Sequence, residues 1–245
     1  MEIRTERVEI PVGDARMGGY LARPADDAPR PGVIVWMEIF GVNAHIRDVT
    51  ERVAREGYVA LAPDFFHRSF PGLEVGYDDA GMEVGMKGLA ALDADEMIAD
   101  ARAALGHLRA VPGCTGKVGA MGFCIGGHMT YLTACETDVA AAASFYGGGI
   151  AAPQGPGGKA STVGRTPKLT GKLLCLFGGQ DALIPGDQVD TIRKALVDAG
   201  KPHEVVVYDG ADHGFHCDQR ASYHETSARD AWERVKRLFA EELRG

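Results

Sequence analysis

Apolar positions along the chain change rhythm several times, and each rhythm specifies an element. Residues 1–21 alternate, with Val8, Ile10 and Val12 before Gly13-Asp14 and Met17, Tyr20 and Leu21 after it, which predicts an antiparallel hairpin. Residues 22–32 read as a Pro-rich loop. Val33-Ile34-Val35-Trp36-Met37 is continuously apolar, the pattern of a central parallel strand covered on both faces, and it stops at Glu38. Ile46, Val49, Val53 and Ala54 recur at helical spacing ahead of Gly57, a natural stop. Tyr58–Ala62 is the next strand, ended by Pro63-Asp64. Residues 66–92 are mixed and Gly-rich, predicting loop with short helical pieces, and a firm helix follows over about 94–109.

The same alternation continues to the end. Lys117–Met121 reads as a strand, Gly122–Gly127 as a turn leading into a helix through Leu132, and Val139–Tyr146 as another strand. Residues 147–172 carry Gly and Pro without periodicity and read as a long surface excursion. Leu173–Phe177, a helix over Val189–Ala199, Glu204–Tyr208 and an amphipathic final helix complete the pattern. Strand and helix in strict alternation specify an α/β fold, a mostly parallel open sheet with helices on both faces. No composition break divides it, so residues 1–245 are expected to form one domain.

Composition narrows the function classes. Lys and Arg number 26 against 34 Asp and Glu, a formal charge of −8, and no basic stripe offers the footprint that nucleic-acid binding requires. The five Cys form no CxxC pair, which favours reduced thiols. MEIRTERVEIPV lacks the apolar run of a signal peptide, and no 18-residue apolar stretch occurs, so the expectation is a cytoplasmic chain without a membrane partner. Neither a cofactor nor a metal is expected. His213-Gly-Phe-His216-Cys217 is too small for a closed zinc site and would take His213 from other work.

The 33 Gly are informative chiefly where they flank Cys124, as Gly122-Phe-Cys-Ile-Gly126 between an apolar strand and a helix. This is the G-x-S-x-G nucleophile-elbow spacing with Cys in place of Ser. In such a turn the nucleophile is held in a strained conformation, and side chains two before and two after it would collide with neighbouring strands. An acid and then a His are expected after the nucleophile, each beyond the carboxyl end of a strand. Asp181 follows Leu173–Phe177 and His213 follows Val205–Tyr208, so Asp181 is placed to orient His213 and His213 to take the thiol proton of Cys124. Glu38 ends the most apolar strand, where a carboxylate needs a partner. The backbone N–H groups of Ile39 and Ile125 are the expected oxyanion donors.

Taken together, Glu38-Ile-Phe-Gly-Val-Asn43-Ala-His-Ile-Arg-Asp48, Glu56–Asp64, Gly122–Gly127, Gly179-Gln-Asp181 and Asp212-His-Gly-Phe215 resemble the dienelactone hydrolase family of α/β-hydrolases. The resemblance implies a Cys124-His213-Asp181 triad, a Glu38 that contacts the resting thiol, and cofactor-free opening of cyclic enol esters. It also implies arginines that hold a substrate carboxylate. One such position, four residues after His213, is here Cys217, and Arg220 is the nearby replacement. The other falls in a variable stretch where Arg68 and Tyr77 are the candidates. The expected activity is cysteine-dependent hydrolysis of a small activated ester or lactone through a thioester, by a monomer or simple homo-oligomer. A broad thiol esterase or thioesterase with the same triad and a non-catalytic binding module are the alternatives.

Overall fold

The computed structural model of the chain describes residues 1–26 and 28–245. Ile3–Val12 (β1) and Ala15–Pro24 (β2) form the antiparallel hairpin, in register from Ile3 opposite Pro24 to Val12 opposite Ala15. The loop expected over 22–32 is shorter, because β2 runs on to Pro24 and Arg30–Trp36 (β3) starts early. Asp27, within that loop, lies outside the described residues.

Ala44–Arg55 (α1) leads to Val59–Pro63 (β4), and Asp79–Ala90 (α2) and Ala94–Ala110 (α3) lead to Cys114–Phe123 (β5). Ile125–Glu136 (α4), Ala141–Phe145 (β6), Lys172–Gly178 (β7), Gly186–Asp198 (α5), His203–Tyr208 (β8) and Glu225–Arg244 (α6) follow. One eight-stranded sheet results, in the order β1-β2-β4-β3-β5-β6-β7-β8, with β3 through β8 parallel. The chain starts the parallel part at β3, places β4 on one side and β5 on the other, and so creates a switch point between β3 and β5. Trp36 pairs with Gly122 across it, which sets Glu38 and Cys124 at adjacent strand ends.

Both faces are covered. Leu108 of α3 and Val118 of β5 fill the face beside Gly32, whereas the next β5 residue, Gly119, meets Phe239 and Leu243 of α6. Because successive strand residues point to opposite faces, α3 and α6 lie on opposite sides. No described helix is long and apolar enough to cross a membrane.

The stretch 66–92 differs from expectation, since α2 is a continuous helix of 12 residues. Three interior glycines lower its helix propensity by about 1 kcal/mol each, which hides it in the sequence. Gly81, Gly85 and Gly88 recur at helical spacing and form its buried side, and Asp78 caps its start by accepting from the Gly81 N–H at 2.8 Å. A Cβ on Gly85 would lie 2.7 Å from the Ile39 carbonyl oxygen, and one on Gly88 would lie 2.9 Å from the Phe66 ring. Close docking therefore supplies what propensity lacks.

Gly85→Ala is expected to destabilise the protein by about 1–3 kcal/mol through overpacking against Ile39. Gly106→Ala, on an open face of α3 with nothing near its Cβ position, is expected to stabilise by up to about 1 kcal/mol. Urea unfolding of both variants checks the pair, and a stabilised Gly85→Ala would contradict the docking of α2.

Candidate active site

Cys124 stands between the last residue of β5 and the first of α4 with φ 57° and ψ −120°. It is one of two non-glycine residues with positive φ among those described, the other being Tyr146. Such backbone costs of order 1–3 kcal/mol and persists only where the surroundings hold it. Here the Cys124 N–H donates to the Phe145 carbonyl at 3.1 Å, and the Cys124 carbonyl accepts from Gly127 and His128 at 2.9 and 3.2 Å. A Cβ on Gly126 would sit 2.3 Å from the Met37 carbonyl oxygen, and one on Gly122 would sit 2.3 Å from the Gly126 oxygen. Only glycine fits either place.

His213 and Asp181 meet beyond the ends of β8 and β7, with Nδ1 and Oδ2 2.7 Å apart. The other oxygen of Asp181 accepts the Leu183 N–H at 2.9 Å. The His213 Nε2 is buried without a hydrogen-bond partner, and the Cys124 sulfur lies close enough to act on it. Burial works against charge on this imidazole, but the bond with Asp181 and the nearby Cys124 sulfur outweigh it and raise His213 to about 10.

Glu38 is fully buried. Its Oε2 accepts the Tyr77 hydroxyl at 3.1 Å and its Oε1 accepts Arg220 Nη1 at 3.3 Å. The Arg220 guanidinium also lies 5.7 Å from the Phe40 ring centre and 5.6 Å from that of Tyr77. Burial raises the Tyr77 hydroxyl pKa, and the Glu38 charge adds to it. Among the described residues no hydrogen bond joins Glu38 to Cys124, and the two Glu38 oxygens are bonded to Tyr77 and Arg220. Cys217 is buried, and burial raises its thiol to about 11.

Arg68 is not brought to this cluster. It grips the buried Asp100 with two bonds of 2.8 Å, reaches Glu96 at 3.7 Å, and ties the segment after β4 to α3.

A cavity of about 470 Å³ opens onto Cys124 and His213. Ile125 borders it, as do Leu89, Leu92 and Leu183, while Tyr77, Arg220, Arg68 and Ile39 do not. Ile39 is buried in the turn beneath α2, with its carbonyl against Gly85. Its N–H, like that of Ile125 at the start of α4, is given no acceptor among the described residues. Part of the 147–172 segment also walls the cavity, from Gly148 to Gly157. Ile150, Thr162, Thr166 and Leu169 of the segment are buried, and short 3-10 helices span Pro156–Gly158 and Thr162–Lys168. Part of the segment thus walls the cavity, while Pro153 and Gly158–Ala160 are exposed at the surface.

His128, which no sequence motif singles out, holds that wall. Its Nδ1 donates to the Gly148 carbonyl at 2.9 Å, so Nε2 accepts from the Thr162 hydroxyl at 2.8 Å, and the ring is neutral. Burial pushes His128 down to about 4. The only sequence signal was its place one turn after Cys124. Among the described residues no group of three His, Cys, Asp or Glu is arranged to hold a metal ion.

The model of the dienelactone hydrolase family matches residues 17–243. A protein of Synechocystis sp. with the provisional name carboxymethylenebutenolidase is 45% identical over 246 residues, covering 100% of this chain and 99% of its own. The carboxymethylenebutenolidase of Pseudomonas putida is 30% identical over 231 residues, with 94% of each chain covered. A crystal structure from Klebsiella pneumoniae, provisionally named a dienelactone hydrolase, superposes with a TM-score of 0.89 at 35% identity, covering 98% of this chain and 100% of that one.

The depressed His128 predicts acid sensitivity. Between pH 6.5 and 4 the unfolded chain binds a proton that the folded one refuses, so this stabilising contribution is present above pH 6.5 and lost as pH falls. From pH 7 to pH 5 the loss is about 2 kcal/mol. His213, whose folded value is raised, contributes stability below pH 6.5 that disappears as pH rises through about 10. Urea midpoints at pH 7 and 5 should fall less in His128→Gln than in the parent. Equal falls in both would sink the assignment.

Proposed function

This chain belongs to the dienelactone hydrolase family and is a hydrolase with the α/β-hydrolase fold, and on that premise we propose that it cleaves activated carboxylic esters or lactones through a thioester on Cys124. The observation that carries the reading is a cysteine held at positive φ, facing a cavity beside a histidine whose far nitrogen is bound to Asp181. His213 takes the proton of Cys124, and the sulfur adds to the ester carbonyl. Charge on the former carbonyl oxygen is taken up by the N–H groups of Ile39 and Ile125. Collapse breaks the C–O bond as His213 returns its proton to the departing oxygen, which releases the alcohol or enol, leaves a thioester and restores His213 as a base. His213 then removes a proton from water, which adds to the thioester carbonyl, and the acid leaves as the thiol reforms.

A thiolate is a better leaving group than an alkoxide. The intermediate from a simple alkyl ester therefore returns to substrate more often than it proceeds, whereas an enol or aryl ester departs readily. Activated esters are the preferred class. Glu38 acts at one remove, holding Arg220 against Gly214, the residue next to His213.

Burial raises the thiols of Cys114, Cys135, Cys175 and Cys217. Iodoacetamide should therefore modify Cys124 first and abolish p-nitrophenyl ester hydrolysis in step. Cys124→Ala should lose at least ~10³-fold in kcat/KM and Asp181→Asn at least ~10²-fold. Slow labelling scattered over all five cysteines, with no ester turned over, would instead make this a binding module.

A further inference from the structure

Resting on that catalytic reading, we infer that the substrate is uncharged and carries an apolar substituent beside the ester. Among the described residues bordering the cavity there is no Asp, Glu, Lys or Arg. Its larger apolar side chains are Leu89, Leu92, Ile125 and Leu183, and besides Cys124 and the histidines its polar side chain is the neutral Gln154. His128 is the polar side chain deepest in the wall, and both its nitrogens are already bonded within the protein. A carboxylate entering this space loses water and finds no fixed cation to replace it. His213 does not serve, because its charge faces the sulfur and Asp181.

The arginines do not supply the missing charge either. Arg220 is bound to a carboxylate that is itself fully buried, and its faces rest near Phe40 and Tyr77. Drawing it toward a substrate would strand Glu38, a buried charge, with Tyr77 alone. Arg68 is doubly bonded to Asp100. Both cations are already committed within the protein.

Apolar surface continues outward from the cavity. Leu183, at its border, is 68% exposed. On α2, Met82, Met86 and Ala90 follow at four-residue spacing, so they share one face, and Ala90 borders the cavity while the two methionines are exposed. A substituent of several carbons, leaving the cavity past Ala90 and Leu183, would meet the near end of this apolar face. The neutral, apolar substrate accounts for both the uncharged interior and the bare rim.

Matched probes test the inference. p-Nitrophenyl hexanoate and p-nitrophenyl hemisuccinate share a leaving group and differ in charge and apolarity. The hexanoate should exceed the hemisuccinate at least ~100-fold in kcat/KM, and Leu183→Lys should narrow that ratio at least ~5-fold. Iodoacetamide should alkylate Cys124 at least ~10-fold faster than iodoacetate, after each rate is divided by its rate with glutathione. Equal or inverted preferences, with Cys124 still labelled first, overturn the substrate class and leave the cysteine mechanism standing. Failure to label Cys124 with either reagent, together with no turnover of either ester, overturns the mechanism and the inference with it.

Discussion

Two main-chain carbonyls at the end of β3, those of Trp36 and Met37, set how closely the nucleophile turn approaches the sheet. The first turn of α4 rests on them at Gly126, where a methyl group would overlap both oxygens at 2.5 and 2.3 Å. Widen that gap and α4 tilts, Cys124 leaves its strained conformation, and the Ile125 N–H no longer points where it did. The β3–β5 register then has nothing to bring together, although Trp36 still pairs with Gly122. Contact at this point is backbone against backbone, the least compressible kind available to a protein interior.

Around it, charge is divided into two closed accounts. His213 and Asp181 form one, stretched across the ends of β7 and β8. Glu38, Tyr77 and Arg220 form the other, beside the end of β3. Each buried carboxylate has donors of its own, so neither has to take one from a substrate. The uncharged cavity lies against the first group and excludes the side chains of the second. This separation explains how an arginine so near the nucleophile remains unavailable to ligand.

Most of the sheet is legible in the sequence because buried parallel strands leave continuous apolar runs, as in Val33–Met37 and Leu173–Phe177. The Cys124, Asp181 and His213 positions are legible for another reason, since each follows a strand and the elbow demands glycine at fixed offsets. Helix α2 is not, because Gly81, Gly85 and Gly88 read as helix breakers until Ile39 and Phe66 are seen pressed against them. The Arg68–Asp100 pair is not legible either, because Asp100 sits on another element, 32 residues away, with no local pattern to mark the pairing. The 147–172 wall has no periodicity to read. Its placement comes from His128 and from buried residues such as Ile150 and Thr162, which only the folded chain brings together.

His128 stands on the same helix as the turn that bears Cys124, four positions on. The sulfur and the anchor of the cavity wall therefore share one rigid body. A small rotation of α4 carries both in the same direction, so the distance from wall to nucleophile is conserved even when their position against the sheet is not. The sulfur and this one wall move as a pair, whereas His213, Asp181 and Leu183 stand on other elements and do not share that movement.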